Sequence, residues 1–161
     1  MKQPRPSPPS DAPPSTVSLS RPLGWFSVRF HVTGEELVPD EVTRLFGVTP
    51  TTNQTKGVPI LRPDGTTKRV PKFGRWSIEL IPSQTDEWDI NEVINQLLAS
   101  LPMAVEVWRK VSQLGSLQIS LGLLFAYDGD EFFLEPTLLR TLGERGIQMY
   151  FDFYREGGER G

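Results

Sequence analysis

Four segments of the chain alternate between apolar and polar residues with a period of two. The segments are WFSVRFHV (25–32), RWSIEL (75–80), LQISLGLLF (117–125) and IQMYFDFY (147–154). In the first segment the large apolar residues share one side, and Ser27, Arg29 and His31 share the other. Such alternation is typical of strands that bury one face. It therefore predicts a sheet with one apolar and one polar face, on which His31 is expected at the solvent surface.

Helical patterns separate these strands. The first begins at Pro39 with acidic residues after it and ends at Gly47. A long helical stretch between the second and third strands is interrupted at Pro102, and a short helix covers residues 136–145. We predict an α+β domain in which helices cover one face of a four-stranded, mostly antiparallel or mixed sheet. The two ends repeat the order strand–helix–strand, and such loosely duplicated βαβ halves fit a ferredoxin-like plan.

The first 22 residues differ in composition from the rest. They hold seven of the 15 prolines and several serines, so we predict a disordered tail over 1–22. A single domain is expected over 23–156, followed by a flexible tail over 157–161. No apolar core of a signal peptide and no apolar run of membrane-spanning length is present. We therefore expect a cytoplasmic protein without membrane contact.

Charge is divided unevenly along the chain. The whole chain carries −3, whereas residues 56–75 carry +5 and the rest of the predicted domain carries −10. Within the basic segment, Pro63-Asp64-Gly65-Thr66 suits a type I turn followed by a glycine at positive φ. This predicts a basic β-hairpin inserted over residues 58–71.

Several motifs distributed over residues 25–155 occur together. They are FSVRFHVTGEEL, a helix ending in LFGV, Thr49-Pro50-Thr51, Lys56-Gly57, Gly74-Arg75-Trp76-Ser77 and Asp152-Phe153-Tyr154. In combination they resemble the bacterial family catalogued as domain of unknown function 4279. The resemblance implies a small α+β domain. It carries no assigned reaction, so no catalytic residue transfers from it.

The residues provide little for cofactor or metal chemistry. The chain has one histidine and no cysteine, which leaves too few nitrogen and sulfur ligands for a zinc site. The order of residues from Gly47 to Gly57 does not lead into a helix, as a phosphate-binding loop requires. We expect no cofactor and no metal, and no motif identifies catalytic residues.

Polar residues of the predicted strands form the first candidate site. If the four strands are neighbours, these side chains share one sheet face: Arg29, His31, Glu79, Tyr150, Asp152 and Tyr154. One interpretation is an enzyme acting on small molecules, with Arg29, His31, Glu79 and Asp152 in a pocket. Another is a single-stranded nucleic-acid binder whose strand aromatics stack on bases. The net acidic domain and the absence of an RNP-like motif disfavour nucleic acid.

The basic segment is the second candidate site. Its predicted partner-binding residues are Lys56, Arg62, Lys68, Arg69, Lys72 and Arg75. A basic protrusion on an acidic body steers association with an acidic protein surface, or with the acidic side of a second copy. Our leading hypothesis is a non-enzymatic protein-interaction module, of which an immunity-like protein is one version. The enzyme and nucleic-acid interpretations remain alternatives.

Overall fold

The structure is a computed structural model that describes residues 25–82, 89–125 and 132–155, with the side chains of residues 25, 26, 125 and 155 left out. Seven strands and four helices follow one another in these ranges. In chain order they are β1 (Trp25–Gly34), α1 (Pro39–Phe46), β2 (Thr52–Gln54), β3 (Ile60–Leu61), β4 (Thr67–Arg69), β5 (Gly74–Leu80), α2 (Ile90–Ala99), α3 (Val105–Leu114), β6 (Ser116–Phe125), α4 (Pro136–Glu144) and β7 (Gln148–Arg155). The α+β class is confirmed.

The main sheet has five strands in the order β2-β5-β1-β6-β7, one more than expected. The additional strand, β2, has three residues and pairs antiparallel with β5 at the sheet edge. Strands β5, β1 and β6 are antiparallel neighbours, whereas β6 and β7 are parallel. The sheet is therefore mixed, within the range that the alternation predicted.

The two halves repeat in element order but differ in pairing. In the C-terminal half, α4 connects two parallel neighbours, β6 and β7. In the N-terminal half, the strands on either side of α1 and the hairpin, β1 and β5, are antiparallel neighbours. Strands joined through a helix in a split βαβ unit run parallel, so the N-terminal half departs from a ferredoxin-like plan.

One face of the sheet carries the core. The strands contribute Val28, Phe30, Val32, Trp76, Leu117, Ile119, Leu121 and Leu123, and the helices contribute Val42, Phe46, Ile94, Leu97, Trp108, Val111, Leu138 and Leu142. Four aromatic rings in this core lie with centroids 5.1–6.3 Å apart. The helices therefore cover the apolar face, as expected, and leave the polar strand residues on the opposite face.

The apolar side of β7 extends beyond this core. Phe151 is 36% exposed and Phe153 is 61% exposed, although alternation placed both on the apolar face. β7 is an edge strand of the sheet, and neither Phe151 nor Phe153 belongs to the buried core. The period of two gave the correct face for these residues, but it overestimated their burial.

The basic hairpin is present as a separate two-stranded sheet of β3 and β4. Gly65 has φ of 81°, and its amide donates to the carbonyl of Arg62 over 2.9 Å. Asp64 accepts hydrogen bonds from the amide and hydroxyl of Thr66, which fixes the turn. The turn residues thus fold as predicted.

The predicted tails, 1–22 and 157–161, lie outside the described residues. In the part of the chain that is described, no helix is long and apolar enough to cross a membrane.

Candidate functional site

The polar strand residues lie on one face because of the register of the sheet. Arg29 lies opposite Glu79 on β5 and opposite Ser120 on β6, which in turn lies opposite Tyr150 on β7. His31 occupies the neighbouring row, with Ser77 on β5 and Gln118 on β6; Asp152 and Tyr154 lie further along β7. The six sheet-face candidates therefore share a surface, called here the polar sheet face.

Arg29 and Glu79 form an ion pair across β1 and β5. The Arg29 side chain is 42% exposed and that of Glu79 is 19% exposed. The backbone amide of Glu79 also donates to the hydroxyl of Thr51 over 3.1 Å. Glu79 is thus held in place and offsets the charge of Arg29, and such partly exposed pairs contribute about 1 kcal/mol or less to stability.

His31 is buried, which corrects the expectation of a solvent-exposed residue. It is 6% exposed, and its Nδ1 lies 2.8 Å from the hydroxyl oxygen of Ser77. Burial, followed by the nearby charges of Arg75 and Arg29, lowers the pKa of His31 from 6.5 to about 4. The imidazole is therefore uncharged at neutral pH. The strand pattern placed it on the correct face but could not show what surrounds it there.

Two of the six basic candidates are already paired within the domain. The ammonium group of Lys56 contacts the carboxylates of Glu35, at 3.1 Å, and Glu36, and these hydrogen bonds raise its pKa. Arg62 donates to the hydroxyl of Thr66 and to the Thr67 carbonyl inside the hairpin. Both side chains therefore already contact groups of the same chain, and their role in partner binding stays a prediction.

Arg69 reaches from the hairpin to the edge of the main sheet. Its Nη2 donates to the side-chain oxygen of Gln54 over 2.6 Å. The amide nitrogen of Gln54 donates in turn to the carbonyl oxygen of Phe73 over 3.1 Å, and Gln54 is 7% exposed. Because Gln54 lies directly opposite Arg75 in the β2–β5 ladder, this buried amide places Arg69 close to Arg75.

Arg75 combines a half-buried position with positive neighbours. Its guanidinium lies 5.2 Å from the ring centroid of Phe73. Its Nε atom is buried and has no hydrogen-bond acceptor among the described residues. Burial, followed by the charges of Arg69 and Arg29, holds the pKa of Arg75 below its ordinary value. The guanidinium remains charged at neutral pH because an arginine pKa lies far above 7.

The two candidate sites therefore meet at Arg75, on which the charges of both Arg69 and Arg29 act, and Arg29, Arg69 and Arg75 are called here the arginine cluster. Among the described residues, Glu79 is the one acidic group in contact with it, and Glu79 contacts Arg29. The remaining basic candidates, Lys68 and Lys72, are exposed. Within β4, Lys68 points away from the side of Arg69.

Gln54 is the site residue that sequence reasoning missed. It belongs to β2, a strand of three residues that is too short to show a period. Its role depends on pairing with Arg75, which is far away in sequence. The sequence showed only the residue type, a polar amide, which needs hydrogen-bond partners wherever the fold buries it.

The arrangement offers anion binding more readily than metal or nucleophilic chemistry. Among the residues that the structure describes, no three His, Asp or Glu side chains are grouped to hold a metal ion. The Ser77 hydroxyl beside His31 is 1% exposed, so it does not face a substrate. Unneutralised guanidinium groups, in contrast, bind carboxylates and other oxyanions.

Comparison with known proteins gives one match. Neither the curated proteins nor the solved structures contain a match to the chain. A family model described as a domain of unknown function, DUF4279, matches residues 25–156, from β1 through the end of β7. The match includes both the polar sheet face and the basic hairpin, and it covers most of the chain. The chain therefore belongs to the DUF4279 family.

Proposed function

We propose that the domain is a non-enzymatic binding module that receives an acidic protein partner on the polar sheet face. The observation that carries this proposal is the arginine cluster, in which Arg69 and Arg75 are held as neighbours with no acidic contact among the described residues. Two adjacent positive charges repel each other, and an incoming negative group relieves that repulsion.

The charge of the rest of the chain supports an oriented approach. The domain outside residues 56–75 carries −10 and repels an acidic partner, whereas the basic segment attracts it. Such an uneven field accelerates encounter and restricts the orientation in which partners meet. The same field allows the acidic side of a second copy to bind. An immunity-like role, in which the domain covers an acidic surface of another protein, is a specific form of this proposal.

The enzyme alternative has less support from the same face. Of its four residues, Arg29 and Glu79 are paired with each other, and His31 contacts Ser77. These three side chains already contact groups within the domain.

The nucleic-acid alternative draws on Tyr150 and Tyr154, which are 48% and 51% exposed on β7. Base stacking on such rings is common, but the sequence contains no RNP-like motif.

The proposal is tested by affinity capture from a lysate of the source cells, with and without nuclease. The captured protein is identified, purified and measured directly for binding. The test variant is Arg69→Glu/Arg75→Glu. The matched control is Lys110→Glu/Arg140→Glu, which makes the same charge change at exposed positions of α3 and α4.

We expect an acidic protein that survives nuclease, binds the wild type and the control directly, and loses binding to the test variant. No retained protein, or equal loss in both variants, contradicts the proposal. A signal that disappears with nuclease supports the nucleic-acid alternative instead. Light scattering of the purified domain shows whether a second copy is the partner.

A further inference from the structure

We propose that Arg69 and Arg75 form a subsite that binds one carboxylate group of the partner, with Gln54 as the residue that positions it. This inference rests on the proposed function and specifies the group that is recognised. It concerns two side chains, whereas the proposed function concerns the face as a whole.

The positions of the two arginines are determined by neutral groups. Gln54 accepts from Arg69 and donates to the Phe73 carbonyl, so the amide connects the hairpin to the strand that carries Arg75. The Phe73 ring lies against the Arg75 guanidinium. Neither contact neutralises a guanidinium group. Both arginine side chains, which have many rotamers, are therefore held in position before a ligand arrives.

The guanidinium groups of Arg69 and Arg75 identify the chemistry of the missing group. The Nε of Arg75 is buried, so a ligand from solvent reaches this residue through its terminal Nη atoms. A guanidinium offers paired N–H donors that match the two oxygens of a carboxylate. A carboxylate between the terminal groups of Arg69 and Arg75 would accept from both arginines and offset the repulsion between them.

We favour a carboxylate because an acidic protein surface presents carboxylates as its anionic groups. Phosphate has related chemistry and also binds paired arginines. Inorganic phosphate therefore serves as a separate arm of the experiment.

His31 provides a direct report of occupancy, because it is the one histidine of the chain. The charged groups that act on it are Arg29 on its own strand and Arg75 on β5, with Glu79 paired to Arg29. On β6 and β7 its row continues with the uncharged side chains of Gln118 and Gln148. A carboxylate bound to Arg75 would offset the positive charge that His31 experiences, and its pKa would rise.

The test is a titration of the full chain with a capped hexaglutamate peptide at low salt, near pH 6.5, followed through the imidazole signals of His31 by NMR. An uncharged peptide of the same length is the ligand control. The variants are Arg69→Gln and Arg75→Gln, with Lys68→Gln as the matched control, since Lys68 removes the same charge from the other side of β4. Amide spectra establish that each variant is folded.

We expect saturable binding that shifts the imidazole signals of His31. Arg69→Gln and Arg75→Gln should each raise the dissociation constant about tenfold or more, because each variant loses charged hydrogen bonds to the carboxylate. Lys68→Gln should raise the dissociation constant by a factor of about two or three.

The results separate this inference from the proposed function. Equal weakening in all three variants overturns the subsite, although a partner captured in the earlier experiment would still support docking on the face. No peptide binding to the wild type also overturns the subsite. Binding of phosphate but not of the peptide overturns the choice of carboxylate.

Discussion

Replacing His31 by Asn is expected to remove the part of the unfolding free energy that depends on the titration of His31. In the folded domain the pKa of His31 is lowered from 6.5 to about 4, first by burial and then by Arg75 and Arg29. The unfolded chain regains the ordinary value, so it takes up the proton first as the pH falls below 6.5. The stabilisation is fully present above pH 6.5 and is lost as the pH falls through about 4.

The magnitude follows from the difference between the two pKa values. One pKa unit corresponds to about 1.4 kcal/mol, so the interval from 6.5 to about 4 corresponds to about 3 kcal/mol of unfolding free energy. The side chain is 6% exposed, so solvent screening removes little of this effect. For a domain of ordinary stability that is a large fraction of the total.

The assay is urea unfolding of the wild type and of His31→Asn at several pH values between about 7 and about 4. Asparagine keeps an amide near the position of the imidazole Nδ1, where it can contact Ser77. Carboxylates also titrate in this range, but they do so in both proteins and cancel in the difference. We expect the advantage of the wild type to shrink by about 3 kcal/mol from pH 7 to pH 4. A difference that stays constant with pH would refute the argument.

Three further substitutions test the fold by thermal and urea unfolding. Trp76→Phe should cost about 2–3 kcal/mol, because it leaves a cavity in the core and removes the hydrogen bond from Trp76 Nε1 to the hydroxyl of Thr43; a loss below about 1 kcal/mol would contradict this. Gly74→Ala should destabilise by about 3 kcal/mol, since a Cβ there would lie 2.0 Å from the carbonyl oxygen of Leu37; a neutral result would argue against this close approach. Gly143→Ala should stabilise by about 0.5–1 kcal/mol, because this helical position has open space around it; a lower melting temperature would be inconsistent with that.

The fold was predictable where a local pattern carried the information. The alternation in β1 gave the buried side of Val28, Phe30 and Val32 because strand geometry repeats every two residues. Positive φ at Gly47 ends α1 as its position suggested. The three-residue β2 was missed, and the order of the strands was left open, because neither has a local pattern in the sequence.

The candidate site was predictable as a set of charges but not as an arrangement. The excess of basic residues in 56–75 was visible in the chain, but their division between paired and unpaired groups was not. Lys56 is neutralised by acids about twenty residues earlier, whereas Arg69 is held by an amide on another strand. The burial of His31 likewise depends on strands that lie far apart in sequence. Such features require the register of the sheet, which single residues do not encode.

The β2–β5 ladder allows the length and sequence of the hairpin segment to change. Gln54 and Arg75 are direct partners in that ladder, so the chain leaves the sheet at one residue and returns at the adjacent position. Residues 55–73 contribute none of the buried apolar core residues, and β3 and β4 pair with each other in a separate sheet. Evolution could therefore lengthen, shorten or exchange this segment while the main sheet and its helices keep their packing. In related domains, partner choice would then vary with this segment, whereas Arg75 would stay in place on β5.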